Sequence, residues 1–204
     1  MGLFKPSVEG LEPLPTLDRV KLDAQRTAVI VVDMQNEFAN PKGKLYLPSA
    51  QQIIPSIRSL LSKARQKKVT IVYTMDTHYP GDLEFKDWGQ HAVKNSWGWE
   101  IVDELKPEHG DTIIEKPRFD AFYNTMLDDI LRARKIENLV VVGTVANICV
   151  LATIAGAYMR GYRVYVPVNA IAYIDEPSLY VALYQATKVY RATLIERAEN
   201  VEFE

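Results

Sequence analysis

The chain is predicted to have a Rossmann-like α/β fold, with three layers in which six strands form a mostly parallel sheet and helices cover both faces. Two observations predict this fold. A continuous apolar run from Ala28 to Val32, rich in β-branched residues, is typical of a strand that is buried on both faces. Such runs alternate with segments whose apolar residues recur at helical spacing, as between Ser49 and Lys67. Regular alternation of this kind indicates a parallel sheet between two helical layers.

Each element is justified by its own residues. The predicted strands are residues 28–32, 69–74, 112–115, 139–143, 163–168 and 193–195. The predicted helices are residues 49–67, 125–135, 148–160 and 177–191. Pro55 is compatible with the first of these helices only near its first turn, and Gly161 ends the third. The connection from Thr77 to His109 is longer than usual, and loops of that length in compact domains are commonly functional.

The length of the chain favours one domain. Its 204 residues suffice for one full hydrophobic core and are few for two domains. Residues 1–26 contain three prolines and show no steady apolar period, so we expect an N-terminal arm that packs on the domain or on a second subunit. Residues 27–204 are expected to form a single domain.

Composition excludes several classes of function. The net charge of -2 leaves no dominant basic face, which argues against a nucleic-acid or anionic-membrane partner. The single cysteine rules out an internal disulfide framework and fits a reducing compartment. No apolar stretch reaches membrane-spanning length, and the first residues show no signal-peptide apolar segment. We therefore expect a cytoplasmic protein.

Cys149 follows the predicted strand 139–143 and precedes a predicted helix. The unpaired N–H groups at a helix N-terminus favour an anion there, and a thiolate is the nucleophilic form of cysteine. Free cysteine is also among the most buried residue types. On this observation alone, an inert buried Cys149 is the stronger of the two interpretations.

Two further charged residues follow predicted strands: Asp33 and Lys116. Ligands of open parallel sheets bind beyond the carboxyl ends of the strands, so Asp33, Lys116 and Cys149 are expected at one rim. Together they form a base, a charge stabiliser and a nucleophile. The N–H groups of Ala146 and Cys149 are the candidate donors to an oxyanion. Each residue also has a structural explanation by itself, as a loop cap, a solvated charge or a core filler.

A second group of residues has the chemistry of a metal site. Asp76 follows the second predicted strand, and His78 and His91 lie in the long connection after it. One carboxylate and two imidazoles suit zinc, and also manganese or iron, with positions left open for water or substrate. An isolated Asp-x-His pattern is weak by itself, and His91 in the same loop strengthens it. His109, in a polar turn, is interpreted as a surface residue.

Aromatic residues flank both groups. Phe38 lies after Asp33 and Trp88 lies before His91, where they are candidates to line a pocket for a flat ligand. Core packing is the commoner role of such residues, and this alternative stays open.

Three blocks of residues occur in order and at suitable spacing: Val31-Val32-Asp33-Met34-Gln35-Asn36-Glu37-Phe38, Lys116-Pro117-Arg118-Phe119 with Ala121-Phe122, and Gly143-Thr144-Val145-Ala146-Asn147-Ile148-Cys149-Val150. Through them the chain resembles the isochorismatase-like cysteine hydrolases from about residue 27 to its end. The resemblance implies a catalytic triad of Asp33, Lys116 and Cys149. It also implies a cis peptide between Val145 and Ala146, and a homodimer or homotetramer.

Within that family, Asp76, His78 and His91 look like the metal site of the nicotinamidase branch. Phe38 and Trp88 align with the aromatic residues that stack on the substrate ring in that branch.

Three features depart from the nicotinamidase pattern. Thr77 stands where tryptophan is usual, and Asn147 and Ile148 look closer to the N-carbamoyl and ureido amidase branches. The loop from His78 to His91 is also shorter than usual. These differences leave the predicted reaction unchanged and leave the substrate open.

The sequence thus predicts a metal-containing amidohydrolase that cleaves a small carboxamide to an acid and ammonia through a thioester on Cys149. Nicotinamide is the leading substrate and an N-carbamoyl amino acid such as N-carbamoylsarcosine is the second. An isochorismatase-type hydrolase is disfavoured, because that branch cleaves a vinyl ether without needing the thiol or the metal ligands.

Two alternatives come from other classes of protein. In a metallohydrolase, metal-bound water would attack and Cys149 would be structural. In a phosphoacceptor module, Asp33 would need an acidic cluster around it, but Met34 and Gln35 follow it. The chain also has no glycine-rich phosphate-binding motif.

Overall fold

The structure is a computed structural model that describes residues 2–5 and 10–204. Its strands are β1 Gly2–Phe4, β2 Leu14–Leu17, β3 Val20–Leu22, β4 Thr27–Val32, β5 Thr70–Asp76, β6 Thr112–Lys116, β7 Asn138–Gly143, β8 Arg163–Pro167, β9 Thr193–Ile195 and β10 Val201–Phe203. Its helices are α1 Asn36–Ala39, α2 Pro48–Gln52, α3 Ile54–Gln66, α4 Phe85–Trp88, α5 Leu127–Ala133, α6 Leu151–Met159 and α7 Glu176–Lys188.

The main sheet confirms the predicted α/β architecture. Its strand order is β1-β2-β9-β8-β7-β4-β5-β6, and the six predicted strands, β4 to β9, are mutually parallel. The predicted count of six was too low for the described sheet, because β2 adds parallel to β9 and β1 pairs antiparallel to β2. β2 was not predicted because prolines interrupt the apolar pattern of the N-terminal arm. Leu14 and Thr16 in this strand are nevertheless buried.

Helices on both faces bury the sheet in two apolar clusters. Side chains of β4 alternate between them, with Ile30 in one cluster and Val29 and Val31 in the other. Helices α5, α6 and α7 cover the first face, and α3 covers the second. The central strands therefore form a rigid base, with their carboxyl ends free to carry polar side chains. No helix among the described residues is long and apolar enough to cross a membrane.

Two predicted helices differ in detail from the structure. The segment predicted as one helix from 49 to 67 is divided at Ile53 into α2 and α3, and Pro55 lies in the first turn of α3. The helix predicted from 148 begins with a π-helical turn, Ala146–Val150, which runs directly into α6. Cys149 therefore lies inside a wide first turn.

Candidate active site

The ends of three adjacent strands bring the predicted residues together. Asp33 directly follows β4, and its N–H donates to the carbonyl oxygen of Thr74 at 3.2 Å. On the neighbouring strands Asp76 and Lys116 lie opposite each other in register. Asp33 has a φ of 50°, a left-handed conformation that is uncommon outside glycine and that clusters at functional sites.

Gly143 brings the cysteine-bearing turn to the same place. Its φ is 117°, and a Cβ at this position would lie 2.1 Å from the carbonyl oxygen of Val32. Only glycine permits this approach. The next residue, Thr144, donates its N–H to that same oxygen at 2.9 Å, so the turn before Cys149 is fixed beside Asp33.

Lys116 is the centre of the site. Its side chain is fully buried, and its Nζ lies 2.8 Å from Oδ2 of Asp33, 3.2 Å from Oδ1 of Asp76 and 3.6 Å from Sγ of Cys149. It also donates to the carbonyl oxygen of Arg118 at 3.1 Å. The structure thus brings Asp33, Lys116 and Cys149 together, and it joins them to the predicted metal ligand Asp76 through one ammonium group.

Burial is the largest influence on the pKa values of Asp33, Cys149 and Lys116. It raises the pKa of Asp33, and the positive charge of Lys116 only partly opposes this. Burial also raises the pKa of the Cys149 thiol well above its usual range, again against the charge of Lys116. For Lys116 burial acts in the opposite direction, but the charges of Asp33, Cys149 and Asp76 outweigh it and raise its pKa well above the usual value.

These directions correct the expectation that a helix N-terminus makes the thiol of Cys149 more acidic. Burial of the sulfur outweighs the positive charge of Lys116, which lowers the pKa of this thiol. The raised pKa of the thiol favours its protonated form, next to the Lys116 ammonium that also contacts the Asp33 carboxyl group. Such a thiol becomes a nucleophile by passing its proton to the carboxylate.

The predicted cis peptide lies one residue away from where it was expected, and one of the two predicted oxyanion donors already has another acceptor. The cis peptide joins Thr144 to Val145, whereas Val145–Ala146 was predicted. The N–H of Ala146 donates to the carbonyl oxygen of Ala172 at 2.8 Å, so it is not free to bind a substrate oxygen. The N–H of Val145 meets no acceptor among the residues that the structure describes, and Val145 lines the same cavity as Cys149.

The predicted metal ligands form a compact cluster that contains one more residue. Atoms of Asp76, His78, His91 and Glu84 lie within 4.8 Å of one another. Nε2 of His78 is 3.0 Å from Oδ2 of Asp76, and Nε2 of His91 is 3.5 Å from that oxygen. Glu84 was missed by the sequence analysis. The only signal for it was an acidic residue between two candidate histidines in the long loop.

The cluster fits a divalent cation. Oε2 of Glu84 is buried and makes no hydrogen bond among the described residues, although it lies 3.2 Å from Nε2 of His78. Nδ1 of His91 is 2.8 Å from the carbonyl oxygen of Gly89, and Nδ1 of His78 is 3.0 Å from Asp82. Contacts of this kind fix each ring so that Nε2 presents a lone pair to the cluster. Two imidazoles and two carboxylates are ligands that zinc, manganese and iron accept.

A cavity of about 290 Å³ opens over Cys149. Its lining is mostly apolar and aromatic, and it includes the predicted pocket residues Phe38 and Trp88. Phe38 is buried and contacts His91 edge to face, with ring centroids 6.5 Å apart. Trp88 is 43% exposed at the mouth of the cavity. Asp76 and His91 also line it, so the candidate metal site and the thiol face the same space.

Comparisons with known proteins agree with this geometry. The isochorismatase domain family matches residues 27–199. N-carbamoylsarcosine amidase from Thermoplasma acidophilum is 40% identical, with a TM-score of 0.79 over 87% of this chain and 99% of that one. Ureidoacrylate amidohydrolase from Caulobacter segnis is 35% identical over 74% of this chain and 72% of its own length. A pyrazinamidase of Pyrococcus horikoshii in complex with zinc is 28% identical, with a TM-score of 0.75 over 88% of this chain and 98% of that one. The chain therefore belongs to the isochorismatase family and is a hydrolase that acts on amide C–N bonds.

Proposed function

We propose that this protein hydrolyses a small, uncharged, flat carboxamide of the nicotinamide type, through a thioester on Cys149. The observation that carries this proposal is the chemistry of the cavity over the thiol. No lysine or arginine is among the described residues that line it. A neutral ring suits the aromatic wall that Phe38 and Trp88 contribute, whereas the carboxylate of an anionic substrate would find no lysine or arginine in that lining and could pair only with a bound metal ion.

The first half of the reaction forms the thioester. Asp33 takes the proton of Cys149, and the thiolate attacks the carboxamide carbon. The N–H groups of Val145 and Cys149 are the candidate donors to the developing oxyanion. When the C–N bond breaks, Asp33 returns the proton to the leaving nitrogen, and ammonia departs. Lys116 stays protonated throughout and offsets the charge that moves between Asp33 and Cys149.

The second half regenerates the thiol. Water attacks the thioester carbon while Asp33 accepts one of its protons, the C–S bond breaks, and the proton returns to the sulfur. The acid leaves and the resting thiol is restored.

Asp76, His78, Glu84 and His91 would hold a divalent metal ion, with zinc as the leading identity. When bound, the ion supplies an electrophilic centre in the substrate cavity that can anchor a ring nitrogen or a water molecule.

A second candidate function is the hydrolysis of a ureido compound such as an N-carbamoyl amino acid. The identities of 40% and 35% to an N-carbamoylsarcosine amidase and a ureidoacrylate amidohydrolase favour it. Such substrates carry a carboxylate. The apolar lining of the cavity places this candidate second.

Ammonia release from a matched panel separates the two candidates. The zinc-loaded protein is assayed with nicotinamide, benzamide, N-carbamoylsarcosine and ureidoacrylate. We expect the neutral ring amides to have the higher kcat/KM. A higher kcat/KM for the two carboxylates would reverse the order of the candidates, and release from none of the four would overturn the proposed substrate class.

We also propose a cytoplasmic homodimer or homotetramer. The single buried cysteine, which is free, supports a reducing compartment, and the half-exposed Tyr158 and Tyr184 support an interface between copies. Light scattering after gel filtration tests the assembly, and a monomer mass of 23.2 kDa would contradict it.

A further inference from the structure

Glu37 belongs to the block of residues around Asp33, yet the proposed reaction gives it no part. Its side chain is 4% exposed. Among the described residues no lysine, arginine or histidine nitrogen lies at ion-pair distance from it, so it is a buried carboxylate without a counter-charge. Burying such a group is costly unless it is fully hydrogen-bonded.

The carboxylate of Glu37 is satisfied by two backbone groups from separate loops. Oε1 accepts the N–H of Lys44 at 2.7 Å, and Oε2 accepts the N–H of Ala92 at 2.9 Å. Its own N–H donates to the carbonyl oxygen of Gly98 at 2.8 Å, and a Cβ on Gly98 would lie 2.5 Å from Oε2. Glu37 thus fastens three loops at one point.

One of these loops holds the candidate metal ligands. Ala92 follows His91, and its carbonyl oxygen accepts the N–H of His78 at 3.1 Å. Ala92 has a φ of 41° and is fully buried, so its peptide groups depend on their partners to keep this conformation. The bond from Ala92 to Glu37 therefore supports the backbone of both histidines.

The second loop forms a wall of the substrate cavity. Leu45, Tyr46 and Leu47 follow Lys44 and line the cavity over Cys149. The N–H of Leu45 also donates to the carbonyl oxygen of Glu37 at 3.2 Å. The next residue after Glu37, Phe38, lines the same cavity.

From this geometry we infer that Glu37 is a positioning residue that joins the metal-ligand loop to the wall of the substrate cavity, so that metal affinity and substrate KM both depend on its carboxylate. The inference rests on the proposed function. Changing Glu37 to glutamine keeps the size of the side chain but turns an NH₂ group toward one of the two backbone N–H donors, so one of the two loops loses its acceptor.

The test compares zinc affinity and kinetics in Glu37→Gln and in the matched variant Asn36→Ala. Asn36 lies next to Glu37 and donates to the carbonyl oxygen of Trp97 at 3.0 Å, but its side chain bonds neither the loop of His91 nor that of Leu45. Zinc dissociation constants are measured by competition with a chromophoric chelator. KM and kcat are measured with the panel amide that the wild type hydrolyses best.

For Glu37→Gln we expect a zinc dissociation constant about 10–100-fold higher than in the wild type and a KM that rises several-fold more than kcat falls. Asn36→Ala should keep both values within about twofold. If zinc affinity or KM of folded Glu37→Gln stays within about twofold of the wild type, the inference is overturned. An equal loss in Asn36→Ala would overturn it as well, because the effect would then be general loosening.

If Glu37→Gln does not fold, Gly98→Ala decides by the same limits. Its Cβ would push the Glu37 carboxylate away from its two N–H donors, while residue 37 itself remains glutamate. The zinc measurement uses no amide. It therefore separates a failure of this inference from a failure of the proposed substrate class, and a wild type that binds no zinc would instead overturn the metal part of the proposed function.

Discussion

Replacement of Thr74 by valine tests the role of Asp33 as the base and leaves the contact of Asp33 with Lys116 in place. The Thr74 hydroxyl also accepts the N–H of Asp33 at 3.3 Å, but that N–H keeps the carbonyl oxygen of Thr74 as an acceptor at 3.2 Å. Thr74 is fully buried, and its hydroxyl donates to Oδ1 of Asp33 at 2.7 Å, while Oδ2 of Asp33 faces Lys116 at 2.8 Å. Valine has nearly the same volume as threonine and lacks the donor. The carboxylate form of Asp33 therefore loses one of its two stabilising contacts.

The magnitude follows from that contact. A hydrogen bond to a charged group is worth about 1.5–3 kcal/mol, and 1.36 kcal/mol corresponds to about one pH unit. The pKa of Asp33 is already raised by burial, so the loss moves it further upward. Since Asp33 must be ionised to accept the thiol proton, we expect the acidic limb of thiol reactivity to move about one to two pH units higher. On the plateau the rate should not fall, because a more basic Asp33 takes the proton more readily.

The single cysteine makes the assay specific, since Cys149 is the only thiol that iodoacetamide can alkylate. The second-order rate of alkylation is measured against pH by intact mass, in zinc-loaded wild type, Thr74→Val and Thr27→Val. Thr27 is a buried threonine at the opposite end of β4, where its hydroxyl donates to the backbone carbonyl oxygen of Asp23, so it controls for general destabilisation. A Thr74→Val profile that superimposes on that of the wild type would refute the assignment of Asp33 as the proton acceptor.

Three further predictions concern the groups around this pair. Lys116→Met leaves buried carboxylates without a cation and should lower the free energy of unfolding in urea by about 3–5 kcal/mol; a loss below about 1 kcal/mol would contradict the central place given to this ammonium. Glu84→Gln should weaken zinc binding at least about tenfold in chelator competition, while Asp87→Asn, exposed on the short helix α4 that follows Glu84, should not; equal affinities would remove Glu84 from the ligands. Trp88→Ala should raise KM for a ring amide about two- to tenfold with kcat unchanged, as expected for one lost stacking contact, and an unchanged KM would place Trp88 outside the substrate cavity.

The central sheet could be predicted from the sequence because strands buried on both faces of a parallel sheet consist of uninterrupted runs of β-branched residues. The apolar run 28–32 predicts β4 to within one residue, and Asp33 follows the strand directly. The arm could not be predicted in the same way, because Pro13 and Pro15 flank and interrupt β2, and its pairing with β9 depends on residues nearly the whole chain away.

The residues of the candidate site that directly follow or end a strand could be predicted from the sequence. Asp33, Lys116 and Cys149 meet because β7, β4, β5 and β6 lie side by side in that order and their carboxyl ends form one rim. Glu84 lies in a loop without a repeating pattern, and only the folded loop brings it to His78. The sequence could not show that the N–H of Ala146 is already bonded, because its acceptor, the carbonyl oxygen of Ala172, lies far along the chain.

The rise in the pKa of Cys149 could not be predicted from the residues next to it in the sequence. The position of the residue in a helical turn is visible in the sequence, but the extent of its burial is a property of the whole core.

The most direct test of this account is the turnover of Cys149→Ala, measured as ammonia release by the zinc-loaded variant on the amide that the wild type prefers. We predict a loss of at least about 10⁴-fold in kcat, with zinc content and the urea midpoint unchanged. Turnover above about a tenth of the wild-type rate that disappears on chelation would contradict it, and would assign the reaction to water activated at the metal site with the sulfur as part of the core.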